Sequence, residues 1–258
     1  FKISNRTVKI WPEHQLQVET GFQRNVRKEW SDYVDHGYMP AVYPEELPIP
    51  FDLERQFDKM TFTLNAKDEI RLYGHRLSIG LNSEYQDNRI GGWGFIVPAF
   101  RQLTAGLFIY DKYRLTEKLM LHAGIRYDLG KINIDEYTDW FPSLSGEVGD
   151  SLYVRRSGDI NRLFNNLSWA LGINYNTEFF TLKANAGKSF RMPLAHELAS
   201  NGVNYHRFSY QKGDPELKPE VSYQLDLTLE LNYPRWAVQI SPFINYFPNY
   251  IYLNPTPD

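Results

Sequence analysis

The chain has 258 residues, a formal charge of −3 and no cysteine, which removes disulfides and thiolate metal sites. No long run of one charge sign occurs, so nucleic acid is not suggested as a partner, and no stretch approaches the roughly 18 apolar residues of a transmembrane helix. Phe1–Ile10 has neither the apolar core nor the cleavage pattern of a signal peptide.

Hydrophobicity alternates with a period of two along most of the chain, the mark of strands with two unlike faces. Arg6–Ile10 reads as the tail of a strand. Leu16–Phe22, Phe62–Ala66, Leu77–Tyr85 and Leu103–Ile109 follow as short copies of the pattern. Leu119, Leu121, Ala123, Ile125, Tyr127 and Leu129 alternate with His122, Gly124, Arg126 and Asp128. Leu167, Trp169, Leu171, Ile173 and Tyr175 repeat this, and Phe180–Ala186 is weaker. Val221–Tyr233 alternates without a break over thirteen positions, and Trp236–Tyr246 closes the series. Nine strands and a tail are thus expected.

The connections alternate too. Tight turns are expected at Trp11–His14, Tyr73–His75, Thr116–Lys118, Asn176–Glu178 and Asn232–Arg235, and long segments at 30–54, 88–100, 133–165 and 191–218. Short turns at one end and long loops at the other are the asymmetry of outer-membrane barrels. Thirteen residues at roughly 3.3 Å each, tilted by about 40°, rise roughly 30 Å, enough to cross the apolar slab. Aromatic residues make up 16 % of the chain. They gather toward strand ends (Tyr127, Tyr175, Tyr223, Tyr233, Trp236, Tyr246), where an interfacial girdle needs them. The opposite stripe carries Glu84, Arg126, Asp128, Lys183, Asp226 and Glu230, which suits a wet lumen or contact with a plug. The expected class is all-β, an antiparallel transmembrane barrel. Because nine strands and a tail cannot close a wide barrel without an unpaired edge, and the chain starts inside a strand and ends at Asn254–Asp258 in a loop-like stretch, it reads as a fragment; the alternative, a complete ten-stranded barrel, would need the short Arg6–Ile10 piece as its terminal strand.

Gly187-Lys188-Ser189-Phe190-Arg191-Met192-Pro193, followed by Gly213-Asp214-Pro215-Glu216-Leu217-Lys218-Pro219-Glu220, resembles the TonB-dependent outer-membrane receptors. In that family a Phe-Arg-x-Pro box ends a strand, and an Asn-Pro-x-Leu-Lys-Pro-Glu box opens the next. Here Phe190, Arg191 and Pro193 match the first box, and Asp214, Pro215, Leu217, Lys218, Pro219 and Glu220 the second. Met192 stands where Ala is common, and Asp214 replaces Asn. Pro193 removes a ladder donor and suits the first turn of a short helix, expected at Leu194–Ser200. The resemblance covers essentially the whole chain. It implies one partial barrel domain, 1–258, of a barrel of about 22 strands, with the N-terminal plug and the last strands absent.

The implied function is active import across the bacterial outer membrane of a scarce ligand, such as an iron-siderophore, haem, cobalamin or a glycan. The implied partners are outer-membrane lipid, the protein's own plug, the inner-membrane TonB complex and, in glycan importers, a surface lipoprotein. No intrinsic cofactor is expected; iron-siderophore or haem would be cargo. The alternative is a passive porin-like channel or structural barrel without a plug.

In haem receptors of this family a histidine between the two boxes can ligate iron. The same interval here holds His196, Tyr205, His206 and Tyr210, and imidazole and phenolate are competent iron ligands. The plainer reading makes them ordinary loop residues. Asp32, Asp35 and His36 share a long loop and could bind a cation or simply be solvated. Gly91-Gly92-Trp93-Gly94 reads as a flexible loop tip, and Trp140, Phe141 and Tyr153 with Arg155 and Arg156 could stack on a ligand or on a neighbouring loop. The six histidines are scattered, no Gly-x-Ser-x-Gly or His-Glu-x-x-His occurs, and no enzyme activity is expected.

Overall fold

The computed structural model describes residues 1–35, 41–45, 47–94, 97–142, 151–204 and 209–255, with backbone only at 140–142, 151–154 and 203–204. In chain order the strands are β1 (Lys2–Ile10), β2 (His14–Trp30), β3 (Leu53–Leu72), β4 (His75–Gly91), β5 (Phe100–Arg114) and β6 (Leu119–Ile134). Then come β7 (Tyr137–Pro142), β8 (Ser151–Ser157), β9 (Ile160–Asn176), β10 (Phe180–Arg191) and helix α1 (Ala195–Ala199). β11 (Asn201–Asn204), β12 (Ser209–Lys212), β13 (Glu220–Tyr233), β14 (Trp236–Ile240) and β15 (Phe243–Asn249) complete the chain.

One antiparallel sheet runs β1-β2-β3-β4-β5-β6-β9-β10-β13, and both β14 and β15 pair with β13. The expected Trp236–Tyr246 strand is therefore two segments on one edge. Pro242, which has no N–H to give the ladder, lies at the break, while its carbonyl still accepts the Leu227 N–H at 3.0 Å. The sheet is open: among the described residues β1 does not pair with β14 or β15. The expected tail at Arg6–Ile10 is a full strand, and most main-sheet strands outrun their hydrophobic alternation, β3 reaching 20 residues. The extra length of β2 and β4 is mostly polar, which hides it from a period-two reading, whereas in β6 and β9 it carries Ile132, Ile134 and Phe164 on the otherwise polar face. Two of the expected loops also hold small hairpins of their own, β7–β8 and β11–β12.

Register sorts the side chains onto two faces. Val18, Ala66, Leu81, Leu107, Tyr127 and Leu167 are successive cross-strand partners, and Leu107 is 63 % exposed. The adjacent row on the other face reads Glu19, Asn65, Asn82, Gly106, Asp128 and Asn166. There Arg126 pairs with Asp128 at 2.6 Å and donates to Asn82 at 2.6 Å, and Asn82 donates to Asn65 at 2.7 Å. A face that leaves large aliphatics uncovered, opposite one whose polar groups bond one another at mid-height, has the pattern lipid selects.

Aromatic rings bracket the apolar face. At the long-loop end Phe1, Phe22, Phe62 and Tyr85 follow one another with centroids 6.1, 4.7 and 6.4 Å apart. At the short-turn end Trp11 stacks on His14 at 4.2 Å, His75 on Tyr113 at 4.1 Å, and Tyr233 on Trp236 at 4.5 Å. Tyr85 and His75 mark the two bands on β4. The ten-residue step from one to the other rises about 25 Å at about 40° tilt, the height of the apolar band on such barrels. Among the described residues no helix is long and apolar enough to cross a membrane.

Candidate functional site

The segment between β10 and β13 folds onto the polar face at the long-loop end. Ile132, Ile134 and Phe164 face that side, and Ala195, Leu198 and Ala199 of α1 bury against them, Leu198 being 1 % exposed. Met192 and Leu217 seal the edges of this cluster. Gly130 provides room for Met192, which occupies the space a Cβ would take. The apolar residues at the top of an otherwise polar face thus serve a loop, and Ile132 and Ile134 are the two that the alternation alone does not distinguish from lumen lining.

The two boxes hold this loop in place. The Arg191 guanidinium bridges Glu197 at 2.8 Å and Glu220 at 3.5 Å. Glu197 also accepts the Leu194 N–H at 2.8 Å, so one carboxylate ties the start of α1 to the end of β10. Glu220 accepts the Ile251 N–H at 2.9 Å. Pro193 is buried at the strand end, and the helix expected at Leu194–Ser200 is found with those two residues as its flanks. In the second box the Asp214 carboxylate accepts the Glu216 N–H at 2.8 Å, an Asx-type turn that Asn would make equally well. Arg162 donates to the carbonyls of Pro215 and Leu217, and the Pro219 carbonyl accepts from Asn249 at 2.5 Å. Gly213 is required by close approach: a Cβ there would lie 2.7 Å from the Glu197 carbonyl and 2.8 Å from the Ala199 nitrogen. Phe190 pairs with Val221 in the ladder, and Lys218 is exposed. The boxes are a clamp on the loop.

A second junction joins the two hairpins. Buried Arg156 donates to the Tyr210 hydroxyl at 2.9 Å and lies 5.7 Å from the centroid of its ring. Tyr210 donates to the Asn201 side-chain oxygen, and Asn201 donates from Nδ2 to the Arg156 carbonyl at 2.6 Å. The Tyr137 hydroxyl accepts the Asn201 N–H at 2.9 Å, and burial pushes its pKa up to about 12. Tyr137 and Asn201 carry no local signal in the sequence; Arg156, expected to stack on a ligand or on a neighbouring loop, lies over Tyr210 of the neighbouring loop.

Of the residues expected to meet a ligand, His196 is exposed on α1, and Tyr210 is 46 % exposed with its hydroxyl engaged as above. Tyr205, His206 and His36 lie outside the described residues. Among the described residues no group of three His, Asp or Glu is placed to hold a metal ion. The Gly91–Gly94 stretch is a packed turn and not a flexible tip. Trp93 is 6 % exposed, donates to the Phe51 carbonyl at 3.0 Å and meets Tyr33 edge-on at 5.4 Å. Gly92 has φ +95°, and a Cβ there would strike the Glu54 carbonyl. Of the aromatic group on 133–165, Trp140 and Tyr153 are register partners in β7–β8, and Arg155 pairs with Glu136 at 3.3 Å. Lower on the polar face, a hollow of about 470 Å³ is lined by Tyr110, His122, Arg126, Ser168, Asn185 and Asp226, among others.

The profile of the family described as "TonB dependent receptor-like, beta-barrel" matches residues 4–258. No curated protein matches by sequence. Solved structures align over nearly the whole chain. The copper transporter OprC does so at 17 % identity and TM-score 0.67, over 95 % of this chain and 38 % of its own. The Serratia marcescens hemophore receptor HasR, solved with its hemophore HasA and heme, gives 19 %, 0.61, 96 % and 43 %. The E. coli ferric-catecholate import receptor Fiu gives 13 %, 0.58, 95 % and 40 %. At these identities the likeness is one of fold, and the chain spans about two fifths of the length of these structures.

Proposed function

The chain belongs to the TonB dependent receptor-like β-barrel family, and from that premise we propose that it is part of the barrel of an outer-membrane importer energised through TonB. The observation that carries this reading is the loop between the two boxes, clamped by Arg191 and folded over the polar face. An importer must present residues to cargo above a plugged channel, and a packed loop over the polar face offers a fixed platform for them. In this reading the apolar face meets outer-membrane lipid. The polar face holds a plug domain, the plug meets the inner-membrane TonB complex, and a surface lipoprotein would serve glycan cargo.

The cargo is a scarce ligand of the iron-siderophore or haem kind, met by His196, Tyr205, His206 and Tyr210. His196 is exposed on α1. Tyr210 would have to release Asn201 before its phenolate could ligate iron. The fold does not choose the cargo, since OprC, HasR and Fiu are named for different ones. The test is haem titration of the full-length protein in detergent, following the Soret band, for wild type, His196→Ala and His206→Ala. A shifted band that either substitution abolishes identifies a haem importer. An unshifted band moves the cargo to siderophore, cobalamin or glycan and returns both histidines to loop structure.

A further inference from the structure

Near the short turns, the polar face of β3, β4 and β5 carries an unbalanced charge. Arg71 stands opposite Arg76, Arg76 opposite Lys112, and Lys112 opposite His122. Directly opposed like charges weaken a sheet. Lys67 and Arg114 face the same way from the same strands. One carboxylate answers them: Glu69 lies 3.3 Å from Arg71 and 3.8 Å from Arg76. Among the described residues no carboxylate pairs with Lys67, Lys112 or Arg114. Arg71 and Arg76 keep 63 % and 57 % of their side chains exposed. Lys67, Arg76, Tyr110 and Lys112 also border a hollow of about 440 Å³. Elsewhere on this face Arg126 and Lys183 are each answered by a carboxylate, Asp128 and Glu230.

We propose that this basic patch seats an acidic segment of the domain that fills the barrel, a contact that rests on reading the chain as a plugged transporter. Lipid headgroups do not reach it, because the patch lies on the face opposite the apolar one. Three strands about 4.8 Å apart spread Arg71, Arg76 and Lys112 over roughly 10 Å. That is wider than a single phosphate and suits an extended segment bearing carboxylates at alternate positions. Inside a filled lumen such pairs are poorly screened by salt, so the row that is unfavourable on the bare sheet becomes a specific dock.

The experiment is zero-length carbodiimide coupling of the full-length protein in detergent, with the cross-linked peptides read by mass spectrometry. The expected result is an amide between Lys112 or Lys67 and an Asp or Glu outside residues 1–258. Lys112→Arg should remove the Lys112 link while keeping the charge. Arg76→Glu with Lys112→Glu should cut the remaining Lys67 yield at least tenfold, with heat-modifiable gel migration confirming a folded barrel. Links confined to Glu69 or other residues within 1–258 overturn the dock, as does protection of both lysines by inorganic phosphate alone, which would mark a small-anion site. A failed dock in a protein that still binds cargo leaves the import reading standing. An intact mass with no domain beyond the barrel overturns both.

Discussion

The apolar face of the sheet and the cap over its polar face are built from the same kinds of side chain put to opposite use. On the apolar face Leu107, Leu171 and Leu227 stay uncovered and touch little protein. Under the cap Ile132, Ile134, Phe164 and Leu198 are almost completely enclosed. The first set is held by backbone ladders and needs an apolar solvent; the second is held by side-chain packing and needs its neighbours. Perturbations should therefore separate the two regions cleanly.

The largest effect is expected on the uncovered face. Leu227→Arg should cost about 2–4 kcal/mol in lipid-reconstituted full-length protein, and Thr228→Arg, which points to the polar side, far less. Equal losses in denaturant unfolding would mean that Leu227 does not face lipid. Next, Leu198→Ala should remove about 2–4 kcal/mol of packing, yet release only the 191–218 loop. Limited proteolysis should cut that loop while the barrel's denaturation midpoint holds; a shifted midpoint would show cap and barrel to be one cooperative unit. Arg191→Lys keeps the charge but loses the fork that bridges Glu197 and Glu220, at a cost of about 1–2 kcal/mol read by the same proteolysis. The smallest effect is a pH dependence. Tyr137 has a folded pKa of about 12 against 10 unfolded, so its contribution is complete below pH 10 and fades as pH rises toward 12. Loop protection should weaken across that window in wild type, and Tyr137→Phe should flatten the fall.

The strands were legible because a sheet between two unlike media repeats every two residues, as in Val221–Tyr233. The helix after Pro193 was legible because proline acts locally. The ends of β2, β3 and β4 were not, since their few apolar residues, such as Val26, Phe57 and Ile90, are too widely spaced to repeat every second position. Nor were the Arg156–Tyr210–Asn201–Tyr137 junction and the contact of Met192 with Gly130, whose members come together only after the chain has folded back on itself. Gly92 shows the limit most plainly: four residues rich in glycine suggest flexibility, but the position is glycine because the Glu54 carbonyl leaves no room for a Cβ.

By itself, the sequence determined the architecture, the two faces of the sheet, the asymmetry of the connections and the family, because each is written in short-range periodicity or in a contiguous motif. Only the tertiary structure decided what the motif residues do: Arg191, Glu197 and Glu220 clamp a loop onto Ile132 and Ile134. It also decided that Arg71, Arg76 and Lys112 form one row. Register across strands sets both outcomes, and register brings together residues whose separation along the chain holds no trace of their contact.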